Sequence, residues 1–323
     1  MIRRPRSTET SSVWRAAQGL LFVLLVSSAA FVLTRLAPGD EFDAIGANHA
    51  SADAERHRLG LDRPLAVQYG DWLWRAVRLD LGTSVKYQRP VAPLVGSRAV
   101  NTLILGGIAL ALATVLGVGI GTLSGARRGG AAAASGVAAA SIVLLSWPPL
   151  LTSYGLLLLA AVTGWLPVGG FPIGGGSSLV RILHAPQYLV LPVLALVLPL
   201  AASLERLQAA SMRDALAQPS IRAARARGLG EDRLLWKHAF RLSLAPLLSV
   251  YGVIAAAVLS GSFAVEVVMS WPGLGALMYE ALTARDLYLV AGCALAVATL
   301  LAVSVLAADL ALRLVDPRRE PLS

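Results

Sequence analysis

Lysine is nearly missing from this sequence: of 28 lysines and arginines, only Lys86 and Lys237 are lysine. Val85 and Trp236 precede them. A phosphate-binding loop of the G-x-x-x-x-G-K-[ST] type needs lysine next to glycine, so this chain cannot carry one. Cysteine is scarcer still. Cys293 stands alone in an apolar run, which excludes a disulfide scaffold and says nothing about redox compartment. The four histidines, His49, His57, His184 and His238, lie far apart and show no metal-ligand spacing. Neither G-x-S-x-G nor H-E-x-x-H occurs. No catalytic residue and no metal site is expected. Charge is also short, at 15% of residues, where soluble domains carry about 25%. What is abundant is apolar: 56% of residues, with mean hydropathy +0.66. So many apolar side chains overfill a soluble core, and the surplus must face lipid. Intrinsic disorder is excluded by the same numbers.

A bilayer core needs about 20 apolar residues per helix. Charge-free windows of 19 residues after Arg15, 28 after Arg98, 52 after Arg128, 23 after Arg181, 24 after Arg241 and 22 after Asp286 meet that need. The second half of the longest window runs through Gly164, Pro167, Gly169, Gly170, Pro172 and Gly174. It reads as loop, so that window holds one helix rather than two. The first window could be a signal peptide, but it lacks a small-residue cleavage site. The expectation is an all-α polytopic membrane protein with six transmembrane helices, over 16–37, 99–126, 132–163, 186–204, 242–266 and 287–312. Between them lie an N-terminus over 1–15, an external segment over 38–98, external loops over 164–185 and 267–286, a cytoplasmic loop over 205–241 and a tail over 313–323. The whole is read as one domain.

Six spans put both termini on one side. That side carries 17 basic residues against seven acids, while the other carries 11 basic residues against ten. The positive-inside rule then places both termini in the cytoplasm. The net charge of +9 is topology and gives no reason to expect nucleic acid.

Two segments outside the membrane stand out. Residues 38–98 hold eight acids and eight basic residues. They suggest a short helix, a turn at Asp62 to Pro64, and an amphipathic helix along Val67, Trp72, Leu73, Ala76 and Val77 that Gly82 ends. This segment could lie on the membrane surface, dock an external partner, or do both. The second segment, over 205–241, suggests two short helices. Ser220 would cap the first, and Gly228 would close it in the left-handed conformation. Glu231 and Asp232 would open the second, where acids suit the positive end of the helix dipole. Ala223, Ala224 and Ala226 leave a face with almost no side chain, fringed by Arg222, Arg225 and Arg227. Such a helix can enter a groove on another protein.

Within the membrane, Pro148 and Pro149 suggest a bend in the third span, because proline removes a helix hydrogen bond. Glu266 and Asp309 are embedded or interfacial acids, which are functional candidates by default. Each sits near a helix end, so snorkelling or packing is an equal reading.

IRAARARGLGEDRLLWKHAFRLSLAPLLSV resembles the EAA-type coupling loop of inner-membrane subunits of ABC importers, although Arg222 stands where the motif usually begins with Glu. The similarity is nearest to B-type permeases of the peptide/nickel branch. LTRLAPGD, LGLDRPLAVQYGDWLW, LDLGTSV, GWLPVGG, SWPGLGALMYEALTARDLYLV and LVDPRRE resemble that branch in the same order. The resemblance implies a permease that pairs with a second, similar permease, two cytoplasmic ATPase subunits and an extracytoplasmic solute-binding protein. ATP would bind the partners, with no cofactor on this chain. Arg222, Ala223, Ala224, Arg225, Gly228, Glu231 and Asp232 would form the ATPase-coupling loop. Pro148, Pro149 and Glu266 would be pathway or structural residues. The resemblance implies location in a bacterial cytoplasmic membrane and peptide as substrate, with nickel or a nickel chelate as the alternative. Outside the family, a secondary transporter would act without ATP.

Overall fold

A computed structural model describes residues 7–36, 62–169 and 186–315. In chain order these form α1 (Ser7–Leu36), α2 (Leu65–Ala76), strands β1 (Thr83–Ser84) and β2 (Arg89–Pro90), α3 (Val91–Gly125), α4 (Gly130–Ser146) and α5 (Pro149–Thr163). Then follow α6 (Gln187–Ala217), α7 (Pro219–Ala226), α8 (Glu231–Arg233), a π-helical segment (Leu234–Ala239), α9 (Phe240–Ser249), α10 (Tyr251–Val268), α11 (Leu274–Thr283) and α12 (Leu287–Val315). The two strands pair antiparallel, Thr83 opposite Pro90 and Ser84 opposite Arg89. Among the described residues, five stretches are long and apolar enough to cross a membrane: Trp14–Leu36, α3, α6, α10 and Leu287–Leu310. The pair α4 and α5 makes a sixth if counted as one span. The chain is thus an all-α polytopic membrane protein.

Several expected boundaries move. The span expected over 132–163 is not a gently bent helix: it breaks after Ser146 and turns by 100°. Trp147 and Pro148 each precede a proline, which forces extended backbone on both (ψ 116° and 149°), and Pro149 opens α5 at its first turn. The span expected to end at 204 continues as helix to Ala217. It stops because Gln218 precedes Pro219 and is extended. The span expected over 242–266 divides at Val250 into α9 and α10. The helix expected to end at Gly82 ends at Ala76; Gly82 instead turns the chain into β1 with φ +84°. The short helix expected ahead of Asp62, most of the loop over 164–185 and most of the tail over 313–323 lie outside the described residues.

The described residues fall into two compact units rather than one, within Met1–Thr102 with Pro272–Val303, and Leu103–Trp271 with Ser304–Ser323. In the first, Trp72 of α2 is buried against Phe31 of α1, ring centroids 5.3 Å apart, and Tyr69 shares a hydrogen bond of 2.6 Å with Ser28. Val67 and Val77, expected on the apolar face, are exposed. Asp286 begins α12 as its N-cap: its carboxylate accepts from the Leu289 N–H. The same carboxylate accepts from Ser84 Oγ (2.5 Å) and the Lys86 N–H (3.1 Å), which ties the hairpin to the helix start. Nearby, the Tyr87 hydroxyl donates to Glu280, and Lys86 Nζ lies 3.5 Å from the same carboxylate. Burial and this hydrogen bond push the Tyr87 hydroxyl up to about 12.

In the second unit, α3 and α6 meet along glycines. A Cβ on Gly117 would lie 2.7 Å from the Ala201 carbonyl oxygen, on Gly121 2.6 Å from that of Glu205, and on Gly125 2.6 Å from that of Ala209. The four-residue spacing puts all three on one face and lets the backbones touch. Buried polar groups seal the seam. The Glu205 carboxylate accepts from Ser124 (2.6 Å) and Ser141 (2.7 Å), and the Gln208 amide donates to Thr122 (3.1 Å) and Ser243 (2.8 Å).

Candidate functional site

The segment expected to couple to a partner is a small folded body on the end of α6. Its core is Met212 and Ala215 of α6, Ile221 and Ala224 of α7, and Leu234, Leu235 and Ala239 of the π-helical segment, all buried. Pro219 opens α7 at its first position, after Gln218. Ser220 makes no side-chain cap there, contrary to expectation. Gly228 closes the helix with φ +82°. Its N–H donates to the Arg225 carbonyl (2.9 Å), and the Leu229 N–H reaches back to that of Ala224 (3.4 Å). These two bonds are a Schellman closure, and the partly buried Leu229 supplies its hydrophobic contact.

Charged residues brace this body. Arg222 donates from Nη2 (2.9 Å) and Nε (3.2 Å) to the Ala217 carbonyl, one of the orphan acceptors at the end of α6. Arg225 grips Glu231 through two parallel bonds, of 2.6 and 3.0 Å. That hydrogen bonding holds the Glu231 carboxyl below its ordinary range and the Arg225 guanidinium above its own. Asp232 pairs at 2.5 Å with Arg128, in the turn between α3 and α4. Arg222, Ala223, Ala224, Arg225, Gly228, Glu231 and Asp232 therefore do come together.

They do not all face outward. Ala224 is 6% exposed and belongs to the loop's own core. Ala223 and Ala226 are exposed. At 100° per residue, positions three apart share a face, while Ala224 is turned away from both. The outward small-residue surface is thus Ala223 with Ala226, fringed by the exposed Arg222 and Arg227. Trp236, on the π-helical segment, is 49% exposed and packs against Phe240, ring centroids 5.7 Å apart.

The remaining candidates lie elsewhere in the same unit. Pro148 and Pro149 form the break between α4 and α5, and a Cβ on Gly261 of α10 would lie 3.8 Å from Pro149 Cγ. Glu266 is fully buried near the end of α10, which rules out snorkelling. Asp309 is half-buried on α12. The residues that the sequence reading passed over are Gly117, Gly121 and Gly125. Their G-x-x-x-G spacing was the available signal.

Residues 98–321 match the family described as binding-protein-dependent transport system inner membrane component. The chain is 34% identical over 307 residues to a candidate peptide permease of Brucella ovis, covering 93% of this chain and 95% of that one. It is 33% identical to the oligopeptide transport system permease protein AppB of Bacillus subtilis, over 95% and 98% of the two chains. It is 32% identical to the oligopeptide transport system permease protein OppB of Haemophilus influenzae, over 92% and 94%.

Proposed function

The chain belongs to the inner-membrane components of binding-protein-dependent transport systems, and from that premise we propose that it is one of two permeases in an ATP-driven importer of peptides. Similarity to peptide and oligopeptide permeases along nearly the whole of each chain supports peptide over nickel. ATP is hydrolysed on two separate subunits, because neither lysine here can serve a phosphate-binding loop. A solute-binding protein delivers the peptide from outside, and the second permease is a similar, non-identical chain.

The observation that carries this reading is the loop body. A surface of Ala223 and Ala226, with almost no side chain, sits on a base with its own apolar core, a Schellman closure and a two-bond ion pair. A docking helix needs that combination: a flat contact and a rigid mount. The helix seats in an ATPase groove and passes the closure of the ATPases to α6. Both termini and this loop lie in the cytoplasm, with α2 and the hairpin outside.

Ala223→Trp tests the seat. The protein should still insert and accumulate, since position 223 is exposed. Peptide uptake and co-purification of the ATPase subunits should fall together; overpacking a fitted contact costs about 1–3 kcal/mol. Normal uptake in this variant would sink the docking assignment, and uptake by the chain alone without ATP would indicate a secondary transporter. Orientation is read from impermeant thiol labelling of intact cells on a Cys293→Ala background. A cysteine at position 71 should label and one at 225 should not; the reverse pattern overturns the topology.

A further inference from the structure

The polar ends of α3 and α6 and the start of α4 enclose an open cleft of about 390 Å³. Its polar lining is Ser124, Arg127, Ser135, Glu205, Arg206 and Arg213. Three arginines thus face one cleft. None has an acidic partner among the described residues, although other arginines of this unit, Arg128 and Arg225, are paired. Glu205 is the one acid in the lining, and its carboxylate is already held by Ser124 and Ser141. The cleft therefore presents three positive charges against one negative.

Its position narrows the choice of anion. On α6 the charge-free run ends at Leu204, and on α3 the helix ends at Gly125 just before Arg127 and Arg128. Gly125 meets Ala209 across the seam, so Arg127, just past the end of α3, is level with the stretch of α6 between Arg206 and Arg213, where the apolar spans give way to charge and lipid head groups begin. From there one wall is small and apolar: Ala131, Ala134, Ala138 and Ile142 recur at helical spacing along α4, leading from the polar end toward the middle of the span. A cationic mouth with an apolar trough behind it suits an amphiphile with an anionic head.

We propose that this cleft binds an anionic phospholipid, its phosphate held by Arg127, Arg206 and Arg213 and its first acyl carbons lying along Ala134, Ala138 and Ile142. The site is separate from the loop surface of Ala223 and Ala226 and does not depend on what that surface docks. A lipid held here bridges α4 to α6 at the point where Ser141 reaches Glu205, and stiffens that contact.

The test uses the full chain with its co-purifying subunits, equilibrated with vesicles of equal parts phosphatidylglycerol and phosphatidylcholine. Retained lipid is counted by native mass spectrometry. At about fivefold per arginine near an anionic lipid surface, Arg206→Gln with Arg213→Gln should weaken phosphatidylglycerol retention about 25-fold. Phosphatidylcholine should be unaffected. Arg206→Lys with Arg213→Lys should keep most of the binding, and Arg233→Gln, outside the cleft, should keep all of it. If the double glutamine variant does not accumulate, Arg127→Gln alone should show the fivefold loss. Equal phosphatidylglycerol retention in the glutamine variants overturns the proposal. Inorganic phosphate protecting the protein against heat as well as short-chain phosphatidylglycerol does also overturns it, since the site would then take a free anion. So does a disulfide between a cysteine at position 135 and the second permease, because the cleft would then be a protein seam.

Discussion

Gly121 and Gly119 lie two positions apart on α3, and the same substitution at each should move stability in opposite directions. A Cβ on Gly121 would lie 2.6 Å from the Glu205 carbonyl oxygen and 2.8 Å from Gln208 Cβ. The nearer atom is backbone in the middle of a helix, so no side-chain rotation relieves the clash and α3 must move off α6. That movement also pulls on the Ser124–Glu205 and Thr122–Gln208 hydrogen bonds beside it. Overpacking costs about 1–3 kcal/mol, and the coupled bonds place Gly121→Ala near the top of that range. Replacing glycine by alanine in a helix returns about 1 kcal/mol. The net cost is then about 2 kcal/mol, roughly thirtyfold in the unfolding equilibrium. A Cβ on Gly119 meets nothing within 4 Å, so Gly119→Ala should gain up to about 1 kcal/mol. Reversible unfolding in mixed micelles, followed by circular dichroism, measures both. Equal effects of the same sign would show that α3 and α6 are not in backbone contact at Gly121, and the glycine seam would be refuted.

Ala224→Trp should lower the amount of folded protein, unlike Ala223→Trp, because position 224 is buried in the same core as Ile221 and Leu234; limited proteolysis of 218–240 separates the two effects, and equal resistance in both variants contradicts the assignment of faces. Asp286→Ala removes an N-cap and leaves the buried Ser84 hydroxyl and the Lys86 N–H without their acceptor, at a cost of about 2–4 kcal/mol; amide exchange over 83–90 should accelerate, and unchanged exchange would refute the tie. Glu231 binds its proton less readily when folded than unfolded, so the Arg225–Glu231 contribution is fully present at neutral pH, declines as pH falls below the ordinary carboxylate value and is gone below the depressed one. Amide protection of Gly228 and Leu229, relative to unstructured amides, should therefore be full above the ordinary carboxylate range and fall below it; protection unchanged across that window would show that the pair does not brace the turn.

The apolar windows of the sequence locate the spans because lipid leaves few alternatives: a stretch free of charge and about 20 residues long is helical and buried in the bilayer. Windows bounded by charge misplace helix ends, since a charge stops an apolar count without stopping a hydrogen-bond ladder. α6 runs 13 residues beyond Leu204 because Glu205 is satisfied by two serines and because Gln208, Ser211 and Met212 still face a neighbour. The break at Pro148 was legible as a bend, but its size depends on two successive residues being forced extended. In the loop, the left-handed Gly228 could be read from residue type alone. The division of the alanines between faces could not, because Ala223 and Ala224 are neighbours in sequence and point in different directions on a helix.

The order of stiffness within this unit decides how a displacement would travel. α7 shares its core with the end of α6 through Met212 and Ala215, so α7 cannot slide without opening apolar contacts. Arg225–Glu231 and the Schellman closure keep the Gly228 turn from absorbing the movement. α6 is in turn seated on α3 at three glycines, where the backbones touch and no side chain can yield. A push on α7, whatever its source, therefore reaches α3 through rigid contacts. The π-helical segment between α8 and α9 joins the same core through Leu234, Leu235 and Ala239, and the helix is interrupted only at Val250, between α9 and α10. On the docking proposed for α7, a perturbation at Ala223 should remove the input while leaving these contacts intact, and one at Gly121 should damage the contacts while leaving the docking intact.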